Sequence, residues 1–156
     1  MRESAADRPG VVARPPLLYL MFLLVSLGLN ALWPTRPVPG GLRYPAGALL
    51  IAVSVVLAGS AIIAFRRAGT NVDPMEPATV LVTTGPYAFT RNPMYASLTL
   101  TYGGIGIALG NLWTMILLIP LLVVMVSGVI RREEVYLERK FGEPYRRYKS
   151  SVRRWF

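Results

Sequence analysis

Two short groups of polar residues border long apolar stretches, and both contain residue types that bind or transfer charged groups. Arg91-Asn92-Pro93 precedes one stretch, and the adjacent Glu133 and Glu134 follow another. Asn is a favoured helix N-cap and Pro is favoured at the first helical position, so a helix is predicted to begin at Pro93. The free N–H groups of that helix end and the Arg91 guanidinium would together favour a carboxylate or phosphate. The alternative is that Asn-Pro only begins the helix and that Arg91 only extends toward the aqueous interface.

The two acidic residues are expected to lie on a helix that continues from the apolar stretch before them. Val126, Ile130 and Leu137 fall on one apolar stripe of that helix, and Glu133 and Glu134 border the stripe. At least one carboxylate is therefore predicted to face the protein or a cavity, and acids at a membrane boundary are candidate functional residues. The alternative is a solvated helix with local Glu–Arg pairs.

The composition excludes several kinds of active site. The chain has 156 residues with no Cys and no His, which excludes disulfides, Cys or His zinc sites, Cys nucleophiles and His bases. No metal site is predicted. Only 16% of the residues are charged, whereas soluble domains have about 25%. The length predicts one domain, residues 1–156.

Apolar stretches without charged residues predict transmembrane helices. About 20 helical residues cross a hydrocarbon core about 30 Å thick. The predicted spans are residues 17–33, 45–65, 94–109 and 112–130. The last two are separated by Gly110 and Asn111, which predicts a tight helical hairpin. The fold is therefore predicted to be an all-α integral membrane bundle of about four transmembrane helices with a C-terminal helix and tail, residues 131–156.

The first stretch follows three Arg residues and has the alternative of being a signal peptide. Its length and the lack of an A-x-A site before Trp33-Pro34 favour a retained helix.

The positions of the charged residues predict the orientation in the membrane. With four spans, fifteen of the seventeen Lys and Arg residues and all eight acids fall on the side that contains both termini. The positive-inside rule makes that side cytoplasmic. The positive-inside distribution of Lys and Arg thus accounts for the net charge of +9, and no nucleic-acid partner is predicted.

The tail alternates basic and aromatic residues and is predicted to be an interfacial segment that touches anionic headgroups. The excess of Arg over Lys is typical of a GC-rich bacterium, so we expect a bacterial inner membrane.

Glycine residues crowd the third span. Gly104-Ile105-Gly106 has the spacing of a cofactor-binding G-x-G, but no strand precedes it and the segment is apolar. Gly106 and Gly110 have a small-xxx-small spacing that lets helices approach closely. Helix packing is therefore the favoured interpretation.

Several short motifs share one order and spacing with a known superfamily. They are Thr84-Gly-Pro-Tyr87, Arg91-Asn-Pro-Met-Tyr95, Arg132-Glu-Glu134, Leu137, Phe141-Gly142, Tyr145, Tyr148 and Val152-Arg-Arg-Trp155. Together they resemble the isoprenylcysteine carboxyl methyltransferase and phospholipid methyltransferase superfamily over residues 66–156. Many members have Arg-His-Pro where this chain has Arg91-Asn92-Pro93, whereas phospholipid methyltransferases have Asn-Pro-Met-Tyr. Ala96-Ser97 also replaces the common x-Gly after the Tyr, and both departures concern the substrate more than the cofactor.

The resemblance implies an integral membrane enzyme that uses S-adenosylmethionine. It places the cofactor at the cytoplasmic end of the bundle, under the last helices and the tail, and brings a lipophilic substrate from the bilayer through a gap between helices. The helix start would hold the cofactor carboxylate, the two Glu residues its ammonium and hydroxyl groups, and the aromatic and Leu side chains its adenine. The residues expected to bind the cofactor are Tyr87, Asn92, Pro93, Tyr95, Glu133, Glu134 and Leu137, and those expected to be catalytic are Arg91 and Glu133.

The methyl acceptor predicted from the tail pattern is an isoprenylcysteine-type carboxylate. A phospholipid amine and a small lipophilic thiol are the alternatives, and either needs a proton acceptor, which without His is a Glu, a Tyr or water. Arg91 or Arg132 would hold an acidic substrate headgroup. Two other functional hypotheses stay open. The protein could be a non-catalytic membrane scaffold that kept the fold, or a nicotinamide-dependent reductase of sterol-reductase architecture, for which this chain is short.

Overall fold

The computed structural model describes residues 9–35, 39–73 and 76–155, and this part of the chain is helical without strands. It contains six α-helices, one 3-10 turn and one π-helical segment. The helices are α1 (Pro15–Leu32), α2 (Gly40–Ala68), α3 (Pro93–Leu109), α4 (Leu112–Met125), α5 (Arg131–Phe141) and α6 (Glu143–Ser151). The 3-10 turn is Gly85–Ala88 and the π segment is Val126–Ile130. The all-α prediction is confirmed.

Three described helices are long and apolar enough to cross a membrane: Pro15–Leu32, Gly40–Ala68 and the continuous helix Leu112–Phe141, which joins α4, the π segment and α5. The predicted third span is α3, which has 17 residues and is therefore about 26 Å long at the α-helical rise. It is shorter than the hydrocarbon core, and it lies against α2 along its length. The chain thus forms an all-α membrane bundle in which α3 is the shortest of the four predicted spans.

The turn between α3 and α4 is the predicted tight hairpin. Gly110 ends α3 with a φ of 64°, which is strained for residues with a side chain. The Asn111 side-chain oxygen accepts a hydrogen bond of 3.0 Å from the Trp113 N–H and caps α4. Asn111 also donates to the Ser26 carbonyl of α1 at 3.1 Å, which ties the hairpin to the first helix.

Small residues set the contacts that α3 makes with both of its neighbours. A Cβ placed on Gly47 of α2 would lie 2.6 Å from the Gly104 carbonyl oxygen, and one on Gly106 would lie 2.5 Å from the Thr114 side chain of α4. These contacts confirm the helix-packing interpretation of Gly104-Ile105-Gly106. Gly110 is the C-cap of α3 and lies in the turn that follows it.

The long helix carries the polar sequence out of the apolar core. Leu121, Met125 and Val129 are buried on it, and α5 follows without a break, as predicted. It ends at Gly142, whose φ is 58°, and α6 then turns back toward the start of α3. The end of the long helix and the start of α6, residues 130–148, are thereby brought beside residues 87–95.

Candidate functional site

A cavity of about 530 Å³ lies at the end of the bundle where α5 and α6 follow the long helix. This volume is in the range of pockets that enclose small organic ligands. Its walls come from the end of α2, the loop over residues 71–82, the starts of α3, α5 and α6, and the segment before α1. Ala58, Ile62 and Leu98 form an apolar part, whereas Arg91 and Glu133 lie in a polar part. One cavity therefore offers surfaces for both an apolar and a charged group.

The structure brings together most of the residues that the sequence predicted for the site. Every predicted residue except Pro93 lines the cavity: Tyr87, Arg91, Asn92, Tyr95, Glu133, Glu134 and Leu137. Pro93 is buried and is the first residue of α3, as expected from its place after Asn92. Arg132 does not line the cavity; its guanidinium is exposed and donates to the Gly10 carbonyl at 2.9 Å.

Asn92 stands at the N-cap position of α3, but its side chain does not cap the helix as the sequence predicted. The Asn92 side-chain amide instead donates a hydrogen bond of 2.9 Å to the Arg154 carbonyl. The Asn92 side chain thus bonds to the backbone of the C-terminal tail, 62 positions away in the chain, instead of to the N–H groups at the start of α3. Asn92 therefore links the start of α3 to the tail.

Arg91 is a buried guanidinium whose hydrogen-bonding capacity is not filled. Its side chain is 10% exposed, and its Nη1 lies 3.1 Å from Glu134 Oε1. Both Nε and Nη1 are buried without a hydrogen-bond partner among the described residues. A buried donor left unsatisfied costs about 1–3 kcal/mol. An acceptor group of a ligand in the cavity would satisfy the Nε donor.

Glu134 is held by two arginines. Arg154 Nε donates to Glu134 Oε1 at 2.9 Å and Arg154 Nη2 to Oε2 at 2.8 Å, a bidentate pair. The ion pair with Arg91 adds a third contact. The contacts of Glu134 that the structure describes are thus with the protein, and its binding of a cofactor stays a prediction.

Glu133 differs from its neighbour. The Tyr95 hydroxyl donates a hydrogen bond of 2.8 Å to Glu133 Oε2. Among the described residues the structure shows no ion pair to Glu133, although the residue lines the cavity. This carboxylate is therefore available to a cationic group or to a proton from a ligand.

Aromatic residues of α6 complete the cavity wall. Tyr145 and Tyr148 line the cavity, and the Tyr148 hydroxyl donates to the Tyr87 carbonyl at 2.7 Å. Burial raises the pKa of Tyr145 to about 12 and raises the pKa values of Tyr87 and Tyr148 as well. These phenols stay neutral near pH 7 and supply an apolar, polarisable surface.

Several residues of the site escaped the sequence-based prediction. The sequence predicts that the tail is an interfacial segment, yet Tyr145 and Tyr148 line the cavity, and Arg154 binds Glu134. Arg14 also lines the cavity and pairs with Asp73 at 3.2 Å. Tyr145 and Tyr148 belong to the motifs that resemble the superfamily, and their spacing of three residues on a helix indicates a shared face.

The N-terminal segment closes another side of the cavity. The Val12 N–H donates to the Gly128 carbonyl of the π segment at 3.1 Å. A Cβ on Gly128 would meet the Val12 side chain, so the two segments approach closely here. Pro9, Arg14 and Pro15 thus reach the cavity. π segments within long helices often occur at functional sites.

Comparisons with known proteins agree with this arrangement. A family model described as phospholipid methyltransferase matches residues 42–144. An uncharacterized protein of Haemophilus influenzae is 47% identical over 62 residues, which are 40% of this chain and 98% of that protein. No solved structure matches the chain. Because the family model covers more than half of the chain, including most of α2, all of α3, and Glu133 and Glu134, the chain belongs to the phospholipid methyltransferase family.

Proposed function

We propose that the protein transfers a methyl group from S-adenosylmethionine to a lipophilic acceptor that reaches the cavity from the bilayer, with a phospholipid amine as the favoured acceptor. The observation that carries this proposal is the cavity itself. Among the described residues, Arg91 Nε has no hydrogen-bond partner there and Glu133 has no ion pair, and both lie beside an apolar wall. Membership in the family supports a membrane methyltransferase. We also propose that this end of the bundle faces the cytoplasm.

The residues of the cavity fit the groups of this cofactor. The buried Nε of Arg91 can donate a charge-assisted hydrogen bond to the cofactor carboxylate. Glu133 can accept from an ammonium or hydroxyl group, and the walls that suit an adenine ring are Tyr87, Tyr95 and Leu137. When bound, S-adenosylmethionine supplies an activated methyl group on a sulfonium. The protein then needs mainly to align the acceptor and to exclude water.

The apolar part of the cavity favours an acceptor with a hydrocarbon tail. Ala58 and Ile62 belong to α2, and Leu98 belongs to α3, two helices that pack against each other in the membrane bundle. Val55, Val56 and Ile63 of α2 are exposed on the outside of the bundle, where lipid would cover them. In this proposal a lipid keeps its chains in the bilayer while its headgroup enters the polar part of the cavity.

The charges of the cavity favour an amine over a carboxylate as acceptor. A protonated amine must lose its proton to become a nucleophile, and Glu133 is a carboxylate in the cavity with no cationic partner among the described residues. A carboxylate acceptor would compete with the cofactor carboxylate for Arg91. The other cavity arginine, Arg14, already pairs with Asp73. The isoprenylcysteine-type carboxylate stays a prediction from the tail pattern, with the thiol as a further alternative.

The first test is binding of S-adenosylhomocysteine by calorimetry to the full chain in nanodiscs. Wild type is compared with Glu133→Gln, Arg91→Gln and the control Glu138→Gln. Glu138 lies on α5 but pairs with Lys149 at 3.0 Å and does not line the cavity. We expect both cavity variants to weaken binding and the control to bind like wild type. Absence of binding by folded wild type in lipid would contradict the proposal and favour a non-catalytic scaffold.

The second test compares methyl acceptors. Nanodiscs with phosphatidylethanolamine, a farnesylcysteine or a long-chain alkyl thiol are incubated with methyl-labelled S-adenosylmethionine, and label in the lipid fraction is counted. We expect the fastest transfer to the amine. Faster transfer to the carboxylate would overturn the choice of acceptor and leave the methyltransferase proposal intact.

A further inference from the structure

We propose that Arg154 is a positioning residue that binds the two oxygens of Glu134 and thereby leaves the Nε of Arg91, which has no hydrogen-bond partner among the described residues, available to an anionic group of the ligand. The inference rests on the proposed function, because it assigns a ligand carboxylate to Arg91. It adds a role for the C-terminal strap, defined here as residues 152–155, which follows α6.

The strap is fixed to the segment that contains Arg91. The Arg91 N–H donates to the Arg153 carbonyl at 2.9 Å. The Arg154 carbonyl accepts from the Thr90 hydroxyl at 3.1 Å and from the Asn92 side-chain amide at 2.9 Å. Consecutive residues before α3 are therefore bonded to consecutive residues of the strap. These hydrogen bonds fix the position of Arg154 relative to the backbone of Arg91.

Glu134 lies between the two guanidinium groups. Its carboxylate is 10% exposed, and Arg154 contacts both oxygens at 2.9 Å and 2.8 Å. Arg91 approaches Oε1 with Nη1 at 3.1 Å, without the geometry of a hydrogen bond. A carboxylate accepts one guanidinium in the bidentate arrangement, and Arg154 takes that arrangement here. Arg91 is left beside the carboxylate, and its Nε has no hydrogen-bond partner in the part of the chain that the structure describes.

This arrangement predicts what happens when Arg154 is removed. Glu134 would lose its bidentate partner while staying buried, and Arg91 is the nearest described cation. A buried carboxylate strongly favours a fully bonded cation. Arg91 would therefore turn onto Glu134 as a bidentate pair, and its Nε would no longer be available in the cavity. The ligand would lose an anchor even though it touches neither Arg154 nor the strap.

A purely structural role for Arg154 gives a different expectation. If Arg154 only fastened the tail, removing Glu134 as well would leave binding as weak as in the single variant or weaker. If Arg154 keeps Glu134 away from Arg91, then Glu134→Gln should restore ligand binding in the Arg154→Ala background. The double variant therefore separates the two roles.

The first arm of the experiment uses the ligand-free full chain. Arginine Nε–H signals are recorded by nitrogen–proton NMR in detergent micelles, and the Arg91 signal is assigned by its loss in Arg91→Lys. In Arg154→Ala we expect this signal to move downfield, as for a hydrogen bond to a carboxylate, and to return in Arg154→Ala/Glu134→Gln. An unchanged Arg91 signal in Arg154→Ala would overturn the proposal without reference to any cofactor.

The second arm measures S-adenosylhomocysteine affinity by calorimetry. We expect Arg154→Ala to weaken binding about tenfold or more, the size of one lost charge-assisted contact. Arg154→Ala/Glu134→Gln should recover most of that loss, and Arg154→Lys should fall between, because Lys has the charge but not the planar fork. The control is Arg147→Ala, whose side chain is 75% exposed. A double variant no better than Arg154→Ala would overturn the positioning role, whereas wild type that fails to bind would overturn the proposed function alone.

Discussion

The Tyr95 hydroxyl and the Glu133 carboxylate are joined by a hydrogen bond of 2.8 Å that connects the first turn of α3 to the first turn of α5. The two residues lie 38 positions apart in the chain. In the described part of the chain this is the one hydrogen bond to the Glu133 side chain. It fixes the orientation of the carboxylate that we propose as the proton acceptor.

Removing that hydroxyl tests the orientation. In Tyr95→Phe the Glu133 carboxylate loses its donor while the aromatic ring keeps its packing. We expect a loss of about 1–3 kcal/mol in stability and a decrease in methyl transfer that is smaller than in Glu133→Gln. Thermal unfolding in nanodiscs and the initial rate are the measurements. Tyr44→Phe is the control, since Tyr44 is 58% exposed and does not line the cavity. Wild-type stability and rate in Tyr95→Phe would show that the hydrogen bond has no role.

A pair of glycines on α2 tests the packing of the bundle. A Cβ on Gly47 would lie 2.6 Å from the Gly104 backbone oxygen, whereas one on Gly59 would have nothing within 4 Å. Gly47→Ala should therefore separate α2 from α3 and cost about 1–3 kcal/mol. Gly59→Ala should stabilise the helix by about 0.5–1 kcal/mol, because Ala has the higher helix propensity. Denaturation in mild detergent measures both, and equal effects would contradict the close approach of these helices.

Alkaline pH tests the burial of the tyrosines of α6. Burial raises the pKa of Tyr145 to about 12 from the ordinary tyrosine value of 10.0. The unfolded chain therefore ionises this phenol first, so its contribution to stability is complete below pH 10.0 and is lost as pH rises toward about 12. We expect Tyr145→Phe to flatten the decline of the melting temperature between these pH values relative to wild type. An identical decline would show that Tyr145 is accessible to solvent in the folded protein.

The sequence predicted the parts of the fold that depend on local pattern. The lengths of the apolar stretches predicted the helices. Gly110-Asn111 predicted the hairpin, because a left-handed Gly and an Asn cap are local requirements of such a turn. Pro93 gave the start of α3 for the same reason. The order of the motifs gave the family, which the match over residues 42–144 confirms.

The remaining features depend on contacts between distant residues. The two adjacent acids have similar positions in the helical pattern, but the strap pairs Glu134 with Arg154, and α3 gives Glu133 the Tyr95 hydroxyl. Asn92 has the residue type of a cap, yet a tail carbonyl takes its amide. The strap is not helical, so the helical spacing of residues in the sequence does not predict where it lies. Its contacts with Glu134 and Asn92 are therefore seen only in the folded chain.

The most direct test of the central claim is methyl transfer to phosphatidylethanolamine in nanodiscs by wild type, Glu133→Gln and the control Glu138→Gln. General-base catalysis contributes about 10²–10⁴-fold to a rate. We predict labelled lipid with wild type and with Glu138→Gln, and a rate at least about 100-fold lower with Glu133→Gln. Transfer by Glu133→Gln at the wild-type rate would contradict the role of Glu133, and no labelled lipid from any of the three would contradict the amine as the acceptor.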